Sequence, residues 1–357
     1  MPRALVVWPR IIERRSGLAT GVRYSKDAVF HAVSHSVAHP VFDLSRFARA
    51  RGATCPLMPR SAQIPFSAIL MIIAAMACFT SLDVSVKYLS QRYPVPLLVW
   101  ARWSMQALVM AAVLGPTMRW GLVRTKRRKM HVVRGIVLIG SSLSFFSALK
   151  FLPLAEATAL NYSTPMIVTL MAAAFLHERI TIPRWAFVIA GFIGMLLIVR
   201  PGSEMLTPAS LLALAAAALY ATFQILTRKL AGENSMVLLF FPALVGTVLM
   251  SALVPFLHYD TWFPTADIAM FVAIGAIGTL GHFLFILAFQ RASVSAIAPF
   301  TYMQLLWSTL AGWLVFGTFP DAWALAGIVT IAGSGVVLTW YERWRASLPA
   351  SEPTAVD

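Results

Sequence analysis

Charged residues are scarce in this chain, and acidic residues are the scarcest. Its 357 residues include 14 Asp and Glu and 29 Lys and Arg, and charged residues make up only 12% of the sequence. Soluble domains contain about 25% charged residues, so the composition argues against a soluble protein. The two cysteines, Cys55 and Cys78, are too few for a disulfide framework or a cysteine metal centre. We therefore predict no metal site.

Sequence motifs of common enzymes are also missing. His177-Glu178 has no second histidine four residues after the first, which a zinc metalloprotease helix requires. The chain contains neither a Walker phosphate-binding loop nor a G-x-S-x-G nucleophile elbow. Neither direct coupling to ATP nor serine-hydrolase chemistry is indicated, and we predict no catalytic residues and no cofactor.

Long apolar segments dominate the sequence instead. Hydrophobic residues make up 59% of the chain, and they are gathered in blocks of about twenty, the length at which a helix crosses ~30 Å of hydrocarbon. The blocks lack the polar face of a soluble amphipathic helix. We predict an all-α membrane protein with ten transmembrane helices in a lipid bilayer. The blocks are 66–88, 94–114, 132–150, 154–176, 184–200, 207–227, 236–257, 267–289, 293–316 and 322–341.

The distribution of basic residues predicts the topology. The loop after the second block holds seven Arg and Lys between Arg119 and Arg134, whereas the loops on the opposite side hold three, Arg92, Lys150 and Arg200. Cytoplasmic loops carry the excess of Lys and Arg, so we predict cytoplasmic N- and C-termini in a multi-pass inner-membrane protein. The basic residues responsible for the net charge of +15 lie in the first 64 residues and in loops between apolar blocks, so we predict no nucleic-acid partner.

The first 64 residues differ from the rest of the chain. They hold ten Arg and Lys, three acidic residues and no long apolar run, and we treat them as a basic leader. Three interpretations remain open: a transit peptide, a cytoplasmic tail that touches anionic lipid, or a gene start placed too far upstream, with Met58 as the true start. After it we expect a first five-helix repeat over 65–201, a second over 202–342, and a cytoplasmic tail over 343–357.

An internal repeat relates the two halves. FTSLDVSVKYL at 79–89 aligns with YATFQILTRKL at 220–230, which places Asp83 opposite Gln224. LNYSTPMIVTL at 160–170 aligns with FTYMQLLWSTL at 300–310 and pairs two tyrosines. Five helices in each half is an odd number, so the second half must enter the membrane from the opposite side. Such an inverted 5+5 repeat places a substrate site near the midplane between the halves.

The chain resembles the EamA branch of the drug/metabolite transporter superfamily over about 66–341. The resemblance lies in the end of helix 1 at Lys87, in FLPLAEATALNYSTP at 151–165 with the corner at Glu178, and in YMQLLWSTLAGWLVFG at 302–317. The second half departs from strict symmetry, because Leu305 stands opposite Pro165.

The resemblance implies a ten-helix carrier of small organic metabolites. We expect a secondary transporter that exports an amino acid or a related compound by alternating access, working as a monomer or a homodimer. The alternative is an uptake carrier for a vitamin, a nucleotide-derived compound or another amphipathic metabolite. A membrane-embedded enzyme or a channel is a remote alternative, since no charged filter ring is evident.

Asp83 and Arg102 are two of the ionisable residues that fall inside apolar blocks, where charge is costly and therefore often functional. Asp83 is a candidate for binding a coupling proton or a substrate cation. It could instead pair structurally with Lys87, one turn further along the helix, or with Arg102. The guanidinium of Arg102 could bind a substrate carboxylate or phosphate, or it could reach outward to the lipid headgroups.

Several neutral polar residues could line the same interface, since metabolite sites combine apolar walls with a few placed polar groups. The alternative is ordinary hydrogen bonding between helices. Pro165 is a hinge candidate because proline interrupts helical hydrogen bonding. The polar candidates for substrate binding or coupling are Asn161, Tyr162, Tyr220, Gln224, Thr301, Tyr302 and Gln304.

Overall fold

The described part of the chain is helical throughout. The computed structural model describes residues 65–118, 121, 123–176, 180–200, 207–230, 232–259, 262–292 and 297–347. The leader 1–64, the corner at Glu178 and the tail from residue 348 lie outside these residues. The helices are α1 Phe66–Leu89, α2 Val95–Met118, α3 Arg128–Phe151, α4 Leu154–Asn161, α5 Thr164–Leu176, α6 Ile182–Val199, α7 Pro208–Lys229, α8 Ser235–Leu253, α9 Thr265–Arg291, α10 Met303–Phe316 and α11 Ala322–Ser347, with short 3₁₀ segments at Val254–Phe256 and Ala298–Tyr302.

Eight of these helices are long and apolar enough to cross a membrane: α1, α2, α3, α6, α7, α8, α9 and α11. Large apolar side chains such as Phe192, Trp313 and Trp340 are exposed on the outer surface of the bundle. Exposure of this kind is expected where the surrounding solvent is lipid. The predicted membrane-protein class is confirmed, and eight of the ten predicted spans are present as single helices.

As α-helices the two remaining predicted spans are each interrupted at matching positions of the repeat, the first by a turn and the second by a change from 3₁₀ to α geometry. The block expected to be one helix over 154–176 is divided between α4 and α5 by a turn at Tyr162 and Ser163. In the second half a 3₁₀ segment ends at Tyr302, and α10 begins at the next residue, Met303. Pro165 is the second residue of α5, and it has no N–H with which to continue the ladder from α4. The prediction of one continuous helix over 154–176 was therefore wrong.

In the repeat, α1, α2, α3 and α6 of the first half correspond to α7, α8, α9 and α11 of the second. The contacts between helices follow this correspondence. The α1–α9 contact in one part of the bundle matches the α3–α7 contact in the other, and α8–α3 matches α2–α9. The α2–α8 and α6–α11 contacts join a helix to its own counterpart. Exchanging each helix for its counterpart therefore leaves this set of pairings unchanged. The pattern supports two structurally related halves.

The α6–α11 pair depends on close backbone approach. A Cβ atom added to Gly194 would lie 2.9 Å from the carbonyl oxygen of Gly327, and one added to Gly327 would lie 2.6 Å from Cγ1 of Ile198. Small residues at such crossings let the helix backbones approach each other. Beyond this contact, Arg200 donates to Asp321, whose other oxygen caps the start of α11 through the Ala324 N–H. The hydrogen bond from Arg200 lowers the pKa of Asp321.

We expect Gly327→Val to destabilise the folded protein by about 1–3 kcal/mol, the usual cost of overpacking. Gly333→Val on the same helix is the matched control, because nothing lies within 4 Å of a Cβ built there. Thermal unfolding of both purified variants in one detergent measures the difference. Equal melting temperatures for the two variants would contradict the close α6–α11 crossing.

Candidate functional site

A cavity of about 360 Å³ lies between the two halves. Its wall is built by side chains of α1, α2, α3, α7, α8 and α9 together with the two interrupted segments. Within the described ranges, α6 and α11 contribute no side chain to this wall. The volume falls in the range of small-molecule pockets, about 300–1,000 Å³.

Asp83 projects from α1 into this cavity and is only 5% exposed. Its Oδ2 accepts a hydrogen bond of 3.3 Å from Nε2 of Gln304 in α10. Lys87 is not its partner, because the Lys87 ammonium donates to the carbonyl oxygens of Leu149 and Leu152 at 2.8 and 2.6 Å. The lysine instead fastens the end of α1 to the end of α3. Asp83 is thus held by a neutral amide and not by a neighbouring cation.

Arg102 projects from α2 into the same cavity. Its guanidinium lies over the rings of Trp103 and Phe146, with centroid distances of 4.7 and 5.6 Å. Its Nε is buried and has no hydrogen-bond partner in the part of the chain that the structure describes. Arg102 and Asp83 line the same cavity, and among the described contacts the two side chains form no ion pair within 4.0 Å.

The interrupted segments meet at their breaks. The hydroxyl of Tyr162 donates to the carbonyl oxygen of Thr301 at 2.7 Å and lies 3.1 Å from Oε1 of Gln304. The rings of Tyr162 and Tyr302, which the repeat alignment pairs, lie 5.4 Å apart. Because Nε2 of Gln304 also reaches Asp83, a series of polar contacts runs from the break in the first half to α1 through the second half.

Most of the residues selected from the sequence converge on the cavity. Its lining includes Asp83, Arg102, Asn161, Tyr162, Pro165, Tyr220, Gln224, Thr301 and Gln304. Tyr302 lies beside the cavity instead, since its hydroxyl is directed at Gly335 of α11. Oδ1 of Asn161 is buried and has no hydrogen-bond partner among the described residues. An unsatisfied buried acceptor of this kind is available to a ligand.

Arg134 was counted with the basic loop, and the structure corrects that assignment. It lies in α3, is 3% exposed and lines the cavity. Its Nε donates to Oγ1 of Thr227 at 2.7 Å, and its NH1 donates to the carbonyl oxygen of Leu238 at 2.8 Å. The apolar block predicted from hydrophobicity starts at residue 132, so Arg134 falls at its boundary. An arginine at such a boundary is most simply interpreted as a loop residue.

Gln106 and His282 are further polar lining residues outside the set selected from the sequence. Gln106 stands one turn after Arg102 on α2, and its Oε1 is buried without a partner among the described residues. The i, i+4 spacing places both side chains on one helix face, so this residue could have been found. His282 of α9 lines the cavity with its ring 4.9 Å from that of Phe79.

The charges and rings define what the cavity can bind. A carboxylate and a guanidinium face one space without neutralising each other directly, and the walls are mostly apolar and aromatic. Such a site can hold an ammonium group at Asp83 and a carboxylate at Arg102. Among the described residues no group of three or more His, Cys, Asp and Glu could hold a metal ion.

Comparisons with known proteins agree with this architecture. The model of the EamA-like transporter family matches the chain twice, over residues 66–200 and 207–340. The two matches correspond to the two halves and together cover most of the chain. A solved crystal structure overlays with a TM-score of 0.57 at 23% identity, covering 78% of this chain and 99% of that one. That likeness shows the fold.

Curated relatives are bacterial transporters of different compounds. An S-adenosylmethionine uptake transporter of Rickettsia conorii is 29% identical over 62% of this chain and 75% of its own length. A riboflavin transporter of Rhizobium johnstonii is 28% identical over 79% of this chain and 94% of its own. A pseudopaline exporter of Pseudomonas aeruginosa is 26% identical over 76% and 96%. The chain belongs to the EamA-like transporter family, as a multi-pass inner-membrane protein of the drug/metabolite transporter type.

Proposed function

We propose that this protein is a secondary transporter for a zwitterionic small metabolite of the amino-acid class. The observation that carries the proposal is the pair of Asp83 and Arg102 in one cavity between the two halves. Asp83 would hold the substrate ammonium or a coupling proton, and Arg102 the substrate carboxylate. Buried charges of this kind are retained in membrane proteins mainly where they serve a substrate or an ion.

The proposed mechanism is alternating access about this cavity. If each interrupted segment crosses the membrane as one unit, every half crosses five times and the second half is inverted. The two halves could then rock about the cavity and open it to either face in turn. The turn at Tyr162 and Ser163, followed by Pro165, is the proposed hinge. The face that carries the loop before α3 is the cytoplasmic one, because that loop is the most basic.

We propose export as the direction of transport. Uptake of an amino acid that carries a nucleoside is the second candidate, and one observation favours it. Trp103, Phe146 and Tyr220 give the cavity aromatic walls, on which a base could stack, and relatives named for S-adenosylmethionine uptake cover most of the bundle. Either substrate would use the same carboxylate and guanidinium.

The test is a panel of labelled metabolites supplied to cells that express the full chain, with an empty vector for comparison. The panel holds amino acids, nucleosides, vitamins, polyamines and S-adenosylmethionine. We expect the cellular level of at least one amino-acid compound to fall. A rise in S-adenosylmethionine alone would establish the second candidate. If the protein is verified in the membrane and moves only compounds without an amino-acid group, the proposed substrate class is wrong.

A further inference from the structure

A second buried guanidinium lines the cavity, away from Asp83 and Arg102. Arg134 uses Nε and NH1 for neutral partners on α7 and α8. Its NH2 makes no hydrogen bond with the described residues, and no described acidic side chain forms an ion pair with it. A buried cation without a counter-charge is unfavourable. An anion in the cavity would supply the missing charge.

One face of α7 extends along the cavity from Arg134. The Arg134 guanidinium lies 4.4 Å from the centroid of the Phe223 ring, and that ring stacks on Tyr220 at 5.6 Å. Tyr220, Phe223 and Arg102 all line the cavity. Positions 220, 223 and 227 fall on one face of a helix, so Tyr220 and Phe223 form an aromatic wall of the cavity, and Arg134 lies at its Thr227 end.

The cavity therefore carries two arginines and one aspartate among its described lining residues. A zwitterionic amino-acid head satisfies Asp83 and Arg102 and leaves the charge of Arg134 uncompensated. A substrate with a further anionic group on its side chain would satisfy all three. S-adenosylmethionine, whose sulfonium makes it cationic overall, would place an extra positive charge near Arg134.

We propose that Arg134 forms a second anion subsite, and that the preferred substrate is an amino acid with an additional carboxylate or phosphate on its side chain. The proposal rests on the proposed function, because it takes the amino-acid head to be bound at Asp83 and Arg102. The aromatic wall of α7 separates the two subsites, so the length of the side chain decides which acid reaches both.

The experiment measures dissociation constants of the purified full chain by isothermal titration calorimetry. The probes are L-aspartate, L-glutamate and L-2-aminoadipate, each compared with its side-chain amide, and O-phospho-L-serine compared with L-serine. We expect at least one acid or phosphate to bind about tenfold or more tightly than its neutral partner. Which arm shows the preference distinguishes a carboxylate substrate from a phosphate substrate.

Arg134→Gln should abolish this preference while the neutral partners bind within about twofold of wild type. Arg134→Lys keeps a positive charge and a donor, so it should retain a reduced preference, and it serves if the glutamine variant does not fold. Arg128→Gln is the control, since it removes an exposed cation from the first turn of α3 and should leave the preference unchanged.

The outcomes separate the two proposals. If wild type binds each neutral compound as tightly as the acid or phosphate matched to it, the proposal of a second anion subsite is wrong. The proposed zwitterion site at Asp83 and Arg102 is then unaffected. The subsite is also wrong if Arg134→Gln retains the full preference. If wild type binds no compound with an amino-acid head, the proposed function fails, and the further inference fails with it.

Discussion

Replacing Asp83 with Asn should reduce transport at least about tenfold while the protein remains in the membrane. The carboxylate is the only acidic side chain in the described cavity lining, and its one described hydrogen bond comes from a neutral amide. Asn keeps the shape of the side chain and removes its charge. The substitution therefore removes either a charge-assisted hydrogen bond to a substrate ammonium or the binding site of a coupling proton. Charge-assisted hydrogen bonds contribute about 1.5–3 kcal/mol.

Initial rates in membrane vesicles at several pH values measure this effect. Glu342→Gln is the matched control, because it removes a carboxylate from an exposed ion pair with Arg184, and exposed pairs contribute ~1 kcal/mol or less. We expect the control to transport as wild type does. Survival of both the rate and its pH dependence in Asp83→Asn would eliminate the coupling role.

Replacing Arg102 with Gln should weaken substrate binding by about 10- to 150-fold, which corresponds to the same 1.5–3 kcal/mol. The guanidinium lies over two rings, and its Nε is buried without a partner among the described residues. It is therefore positioned to bind a carboxylate with more than one N–H donor. Binding measured with the purified variant gives the loss directly.

Arg102→Lys and Arg184→Gln complete the series. Lysine keeps the charge and loses the planar fork of donors, so its affinity should fall between those of wild type and Arg102→Gln. Arg184 belongs to an exposed ion pair, and its substitution should not change affinity. Unchanged binding by Arg102→Gln would show that the guanidinium serves only the packing of α2.

Much of the fold could be predicted because membrane-spanning helices are recognisable in a sequence as long apolar segments. The apolar blocks, the repeat that pairs Tyr162 with Tyr302, and the family resemblance all came from residue order alone, and the family is confirmed. The interruption at Tyr162 and Ser163 could not be predicted in the same way. The residues at the turn are polar and are followed by Pro165, but a proline at this place is equally compatible with a kinked continuous helix, so residue order alone does not show that the helix ends.

The candidate site was predictable to the extent that polar residues stand out in apolar blocks. Asp83 and Gln304 were selected for that reason, but their hydrogen bond joins residues 221 positions apart, and no local pattern encodes such a distance. Arg134 was missed because its burial depends on partners from α7 and α8. Tyr302 matched the repeat, yet the surrounding helices turn its hydroxyl toward α11.

The central claim is that this protein carries a zwitterionic metabolite through the cavity between its halves. Solute counterflow in proteoliposomes tests it most directly, using the amino-acid compound identified in the cellular panel. Vesicles loaded with unlabelled compound are diluted into a trace of the labelled form. We predict a transient accumulation of label above its equilibrium level with wild type and none with Asp83→Asn. A monotonic approach to equilibrium with wild type, as a channel gives, would contradict the account.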